Sequence, residues 1–381
     1  MNSAPVLHET YGQRLWRHFC ADSFARCSLG IVIALFVIAA LAPFLANSHA
    51  IVRVADGHVT FPIFLSLEPI EWRFLLYVLL AALIYFSRRK FRTQPQRSLG
   101  VVFVYIVLVE LWLGFSHPFN DPTNDRDRPA SFKLLPPVAY SPIETTPDQF
   151  VPPTWKHPCG TDSTGRDIAA RMLHGARISL SIGFVSQSIS LLVGITLGGL
   201  AGYYRGWLDI GVSRFVEIIE CFPSLLLILV VINFTGSQNN MFCIMAVIGL
   251  TSWTGVTRLV RGEFLRLSGQ PFTLAAQAVG ASDFRVIVRH LLPNALGPIL
   301  VVATFGVASA ILIESSLSFL GFGMQAPTPS WGDILSESRR YIDFAWWLAF
   351  FPGLAMLVTI MSYNFVGEGL RDAVDPRLRV K

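Results

Sequence analysis

Eight apolar runs, at 29–45, 72–86, 99–115, 178–203, 212–234, 241–259, 298–322 and 344–366, alternate with polar stretches along this 381-residue chain. A helix needs about 20 apolar residues, each rising 1.5 Å, to cross a bilayer, and these runs are of that order. Only 14% of the residues are charged, against about 25% in an ordinary soluble domain, so polar surface cannot cover the runs. Lipid offers backbone groups no hydrogen-bond partner, which restricts spanning segments to helices. The expectation is an all-α, multi-pass transmembrane protein. The first run follows a polar segment longer than an ordinary signal-peptide n-region and is read as a retained span.

Charge bias sets the direction of insertion. With the N-terminus inside, the stretches 1–27, 88–98, 204–214, 258–292 and 371–381 are cytoplasmic and hold 19 of the 30 Lys and Arg residues. The cluster Arg88-Arg89-Lys90-Phe91-Arg92 with Arg97 is the strongest single vote, making 72–115 a hairpin that points inward. Both termini are then cytoplasmic and the number of spans is even; seven spans would turn 258–292 outward. The net charge of +5 falls in these short loop clusters, which set topology and do not point to nucleic acid.

Ten of the 23 prolines lie between Pro118 and Pro158. Proline blocks helix interiors and central strands, so an extended, irregular outer cover is expected there. The organisation read from these runs is 1–48, an N-terminal segment with the first span; 49–115, an accessory region with the hairpin; 116–177, the Pro-rich external loop; and 178–381, a core of five spans. Of the five cysteines, only Cys159 falls in the outer loop, so no structural disulfide is expected. Cys20 and Cys27 lack the partners of a zinc site.

The eight histidines show no metal-ligand spacing, and neither Gly-x-Ser-x-Gly nor a Gly-x-x-x-x-Gly-Lys-Ser/Thr phosphate loop occurs. The chain is therefore expected to be no enzyme by itself and to hold no cofactor and no metal. A secondary carrier would show two related halves around broken helices, and no such halves are seen.

The polar island between the sixth and seventh runs contains Leu274-Ala275-Ala276-Gln277-Ala278-Val279-Gly280 and, after it, His290-Leu291-Leu292-Pro293-Asn294. Pro271 suits a first helical turn and three alanines favour helix. Gly280 is a natural C′ residue, and Ser282 can cap a second helix over 283–292. Pro293 should stop simple continuation into the next span. The expected product is a short helix, a glycine corner and a second helix, with a smooth alanine face that a groove can approach and a rim of Asp283, Arg285, Arg289 and His290. A lone interfacial helix without a partner is the bland alternative.

Ala275-Ala276, a glycine four residues on and the spaced Leu-Pro resemble the coupling loop of ABC importer permeases. Other segments extend the resemblance in order: Gly160-Thr161-Asp162-Ser163-Thr164-Gly165-Arg166-Asp167, Gly175-Ala176-Arg177-Ile178-Ser179-Leu180, Phe222-Pro223-Ser224-Leu225 and Arg258-Leu259-Val260-Arg261-Gly262. Then come Leu317-Ser318-Phe319-Leu320-Gly321-Phe322-Gly323, Pro327-Thr328-Pro329-Ser330-Trp331-Gly332 and Gly369-Leu370-Arg371-Asp372-Ala373, with Asp375-Pro376-Arg377. From about 160 to 379 the chain is similar to the second (C-type) permease subunit of peptide ABC importers, the oligopeptide, dipeptide and nickel family.

That resemblance implies a type I ABC importer permease fold, here with an extra N-terminal transmembrane hairpin, in a bacterial plasma (inner) membrane. It implies a path for oligopeptides or dipeptides shared with a second permease subunit. It also implies two cytoplasmic ATP-binding subunits, an extracytoplasmic substrate-binding protein and membrane lipid. Nickel or a peptide-like antibiotic is the alternative cargo. Residues 271–293, with Leu274, Ala275, Ala276, Gly280, Asp283, Arg285, Arg289 and Pro293, are the implied ATPase-coupling element. Two departures stand out: Leu274 occupies the place of the usual leading acid, and the hairpin is additional.

Charges and breaks inside spans are the remaining candidates. Glu314, with Ser315 and Ser318, lies mid-span and either lines the translocation path or fixes packing. Pro223 is expected to kink the fifth span as a gate hinge, with Glu217 and Glu220 at its mouth. Glu110 is read as a structural or snorkelling acid. Gly194, Gly198, Gly199 and Gly202 form a close-approach seam, within the subunit or toward its partner. Asp162, Arg166 and Asp167 either clamp the outer loop or receive a binding protein.

Overall fold

The computed structural model describes residues 11–55, 58–66, 131–235, 241–324 and 327–374. The expected hairpin, with spans 72–86 and 99–115, Glu110 and the 88–98 loop, lies outside the described residues. So does the tail from Asp375.

The chain begins with α1 (Tyr11–Ala21) and α2 (Ser23–Leu45), whose N-cap Asp22 accepts the Phe24 N–H at 2.9 Å. The small strands β1 (Val52–Ala55) and β2 (His58–Thr60) come next, then α3 (Pro62–Ser66) and β3 (Phe132–Leu134). β1 pairs antiparallel with both other strands, in the order β2-β1-β3. This small sheet joins the accessory region to the Pro-rich segment within the expected, mostly helical fold; strands of three or four residues carry too little alternation to read.

The other described helices are α4 (Ile168–Tyr204), α5 (Gly206–Glu220), α6 (Ser224–Thr235), α7 (Met241–Thr251), α8 (Trp253–Ser268), α9 (Pro271–Ala278), α10 (Asp283–Arg285), α11 (Leu292–Phe319), α12 (Trp331–Tyr341) and α13 (Trp347–Val374). Among the described residues, four helical segments are long and apolar enough to cross a membrane alone: α2, α4, Asp283–Phe319 and α13. Two bent pairs, α5 with α6 and α7 with α8, would bring the number to six. These match the six expected runs that fall in described residues.

Helix α4 is the central element. At 37 residues it is about 55 Å long at 1.5 Å per residue, well beyond a hydrocarbon core of about 30 Å. It starts ahead of its apolar run because Asp167 caps it, accepting the Ala170 N–H at 2.8 Å. One core joins α4 to α6, α7 and α11 through Ile178, Ile182, Ile232, Ile244 and Leu317. Another joins α2, α4, α11, α12 and α13 through Val32, Leu180, Ile311, Trp331 and Tyr363.

The glycine seam settles within the subunit. A Cβ on Gly194, Gly198 or Gly202 would stand 2.6 Å from Val256 Cβ, 2.5 Å from the Thr257 carbonyl oxygen and 2.6 Å from that of Arg261. The missing side chains let α4 and α8 touch backbone to backbone, as close helix pairs in membranes do.

The fifth run is not a gently kinked span. It breaks by 84° at Cys221-Phe222-Pro223 into α5 and α6. Across the break Arg258 meets Glu220 at 2.6 Å. Arg261 holds Asp209 bidentately, Nη2 donating to Oδ2 at 2.8 Å and Nε to Oδ1. Proline removes one backbone donor; these arginines of α8 then hold α5 against the bundle.

Candidate functional site

The two ends of the bundle carry different built features. At one end, α9 runs to Ala278 and stops at Gly280, whose φ is +84°. The Gly280 N–H donates to the Gln277 carbonyl at 2.9 Å and the Ala281 N–H to that of Ala276 at 3.0 Å. This pair of bonds is the Schellman pattern, with the glycine at C′. The expected corner is therefore present.

Beyond the corner the chain departs from expectation. Ser282 occupies the cap position of α10 without a side-chain cap bond. The backbone then passes through a π-helical segment, Val286–Leu291, straight into α11, so that Asp283–Phe319 is one 37-residue helix. Pro293 does not end the helix. The wider π turn accommodates the ring, as π-bulges do, and Asn294 Nδ2 donates to the His290 carbonyl at 2.6 Å.

The base of this element is firmly packed. Thr273 is buried and its Oγ1 donates to the Leu267 carbonyl at 2.9 Å. Val286 and Leu291 sit in a core with Val256, Val260 and Phe264 of α8. Tyr203, at the end of α4, donates to Asp283 Oδ1 at 2.7 Å and accepts from Gln277 Nε2 at 3.3 Å. One phenol thus ties both sides of the corner to the central helix. Sequence reading misses Tyr203 because its partners lie 74 and 80 residues away.

The top of the element is bare: Phe272, Leu274, Val279 and Phe284 are exposed apolar residues around Gly280, with Val279 at 89%. Ala275, Arg285, Arg289 and Pro293 are also exposed or half-exposed, while Ala276 and His290 stand beside them at the edge of the packed base.

At the other end lies a charge cluster. Asp162 is wholly buried; its Oδ1 accepts the N–H groups of Thr164 (2.8 Å) and Arg166 (2.9 Å). Its Oδ2 accepts from Arg166 Nε at 2.6 Å and Arg171 Nη1 at 2.5 Å. Burial alone would raise this carboxyl's pKa, but Arg171, Arg166 and the backbone donor outweigh it and hold it below the usual value. Arg171 also reaches Asp333 (2.8 Å) and Glu337 (3.0 Å) of α12. Ser163 donates to Glu337 from both N and Oγ. Asp167 is buried too, and its Oδ2 lies 2.7 Å from His157 Nδ1. Asp162 and Asp167 are thus spent inside the fold, and the Gly160–Asp167 loop is clamped to α4 and α12.

Comparison with known proteins adds a family to this geometry. Residues 194–380 match the family model described as binding-protein-dependent transport system inner membrane component. Residues 10–55 match the N-terminal TM domain of oligopeptide transport permease C. Over 238 residues the chain is 42% identical to the dipeptide transport system permease protein DppC of Alkalihalophilus pseudofirmus, covering 62% of this chain and 77% of that one. The chain belongs to this family of transport permeases. It is also 40% identical to the glutathione transport system permease protein GsiD of Pectobacterium atrosepticum, over 60% of this chain and 75% of that one. Among solved structures, an inward-facing form of the MetNI methionine ABC transporter aligns with TM-score 0.46 and 20% identity, covering 55% of this chain and 98% of that chain.

Within the permease, Glu314 is 0% exposed. Its Oε1 accepts from Ser318 and Ser330, each at 2.8 Å, and Ser315 Oγ approaches Oε2 at 3.4 Å. Ser330 in turn accepts the Asp333 N–H, capping α12, and Trp331 N–H donates to Ser179 Oγ at 3.1 Å. In this conformation Glu314, Ser315 and Ser318 are buried, and Glu314 joins α11 to the start of α12 through Ser330. Pro223 is exposed at the α5–α6 break.

Proposed function

We propose that the permease forms half of the transmembrane path of an ATP-driven importer of oligopeptides or dipeptides. A second permease subunit supplies the other half, two cytoplasmic ATPases dock beneath, and an extracytoplasmic binding protein delivers cargo. Both termini are cytoplasmic in the inner membrane, on the strength of the basic loops. The peptide assignment draws on the relatives, which are named for dipeptide, oligopeptide and glutathione transport.

The observation that carries the coupling role is the bare apolar knuckle around Gly280 standing on a packed base. An exposed cluster of this kind marks an interaction surface. It fits a groove in an ATPase, with helix-in-groove geometry. Leu274 adds apolar contact where the leading acid is absent, so docking leans on shape. ATP-driven closure of the ATPases then moves 271–293. Because Tyr203, Val286 and Leu291 join this element to α4 and α8, the displacement is passed to the spans. Directional import also requires that the two states bind the peptide differently.

The test is a cysteine placed at Val279 and cross-linked in membranes to the co-expressed ATPase. A cross-link that changes with bound nucleotide is expected. Absence of any cross-link from Val279, Phe284 and Leu274 positions alike would refute the docking site.

A further inference from the structure

A cleft of about 250 Å³ lies between α4, α7, α8 and α11. Its wall includes Ser186 and Gln187 of α4, Ser252 at the break between α7 and α8, and Gly306 and Ser309 of α11. Ser186 is 1% exposed and Gln187 5%. Ser186 Oγ and Gln187 Nε2 have no hydrogen-bond partner among the described residues, nor has Ser190 Oγ one turn further along α4. We propose that this cleft is a neutral hydrogen-bonding subsite on the translocation path, where Gln187 and Ser186 meet main-chain amides of the passing peptide. The inference rests on the peptide-importer reading and adds the chemistry by which the path would hold its cargo.

Buried polar groups without partners cost stability and are uncommon in folded proteins. Three within two adjacent turns of one membrane helix call for a partner from outside the subunit. The neighbouring span is broken by 42° at Ser252, and non-helical backbone at membrane depth is tolerated where protein buries it or a polar cavity meets it. Shape places the amide as well. A Cβ on Gly306 would collide with Gln187 Oε1, so the absent side chain is what lets the glutamine lie across α11.

The lining then selects the ligand class. None of the described cleft-lining residues carries a formal charge. That suits neither a bare divalent cation, with its need for carboxylate or imidazole ligands, nor a fixed charge. Peptides of different side chains share the main-chain amide, and a glutamine amide both donates and accepts. A few neutral bonds hold such a chain without trapping it, as passage requires.

The test uses the complete complex in proteoliposomes, with a labelled dipeptide and the binding protein. Gln187→Met keeps the volume and removes the amide; a Ser186→Ala/Ser190→Ala double variant removes the hydroxyls. Each is expected to lower uptake about fivefold to tenfold, while assembly and binding-protein-stimulated ATP hydrolysis persist. The double variant's complex should melt no lower than the parent, because orphan polar groups are gone. Unchanged uptake in both variants would overturn the subsite. So would uptake falling together with assembly, which would make these groups contacts to the second permease. If the parent complex itself took up no dipeptide, the peptide reading would fail and the subsite with it; a transporting parent with indifferent variants sinks the subsite alone.

Discussion

Replacing Gly280 by valine asks whether the corner matters through its backbone. A Cβ at this position meets nothing within 4 Å, so bulk alone harms nothing within the subunit. The φ of +84° is the obstacle. A non-glycine residue held there costs about 1–2 kcal/mol, and a β-branched one is a clear outlier. If the corner instead relaxes, the Gly280 and Ala281 capping bonds are lost, at about 0.5–1.5 kcal/mol each. Either route costs about 1–3 kcal/mol, lowering the population of the native corner by about fivefold to 150-fold. Asparagine tolerates the left-handed region far better and projects similar bulk. In proteoliposomes holding the full complex, the ratio of peptide taken up to ATP hydrolysed should fall for Gly280→Val and stay within about twofold of the parent for Gly280→Asn. Membrane insertion should be normal for both. A valine variant with the parental ratio would refute the reasoning, and so would an asparagine variant as damaged as valine.

Three more outcomes are expected from the geometry. Arg171→Met leaves Asp162, Asp333 and Glu337 short of their shared cation. Breaking such a buried pair costs about 3–5 kcal/mol, so trypsin should nick the Gly160–Asp167 loop readily; parental resistance would contradict the clamp. Glu314→Gln keeps an acceptor for Ser318 and Ser330, whereas Glu314→Leu strands both hydroxyls. Assembly and uptake should survive the first and fall together in the second, and loss of uptake alone in Glu314→Gln would return this residue to the translocation path. Burial, helped by the nearby charge of Asp167, pushes the Cys159 thiol up to about 11. The reactive thiolate is then about one part in a thousand at pH 8, and alkylation should climb about tenfold per pH unit until near 11. Mass spectrometry that found labelling already level by pH 9 would contradict this environment.

The elements legible from sequence are those whose cause is local. Apolar runs mark spans because lipid demands them over consecutive residues, and Gly280 announces its corner because the left-handed conformation favours glycine. The features that escape depend on partners far along the chain. Pro223 flags a disturbance, but an 84° turn requires Arg258 and Arg261 to hold α5 from another helix. The π segment absorbs Pro293 through packing of Val286 and Leu291. Tyr203 bridges α9 and α10, and Glu337 receives Ser163 across 174 residues. The polarity of Ser186, Gln187 and Ser190 is plain in the sequence. Their lack of partners is visible only once the helices are assembled.

At the centre stands the proposal that this permease moves peptide, coupled to ATP hydrolysis on other subunits. Uptake of a labelled dipeptide by proteoliposomes containing the permease, its second permease, the ATPases and the binding protein tests it directly. Accumulation that requires both ATP and the binding protein, and stops when this chain is omitted, is the predicted result. Uptake that proceeds without ATP and tracks an imposed proton gradient would contradict the coupling and mark a secondary carrier.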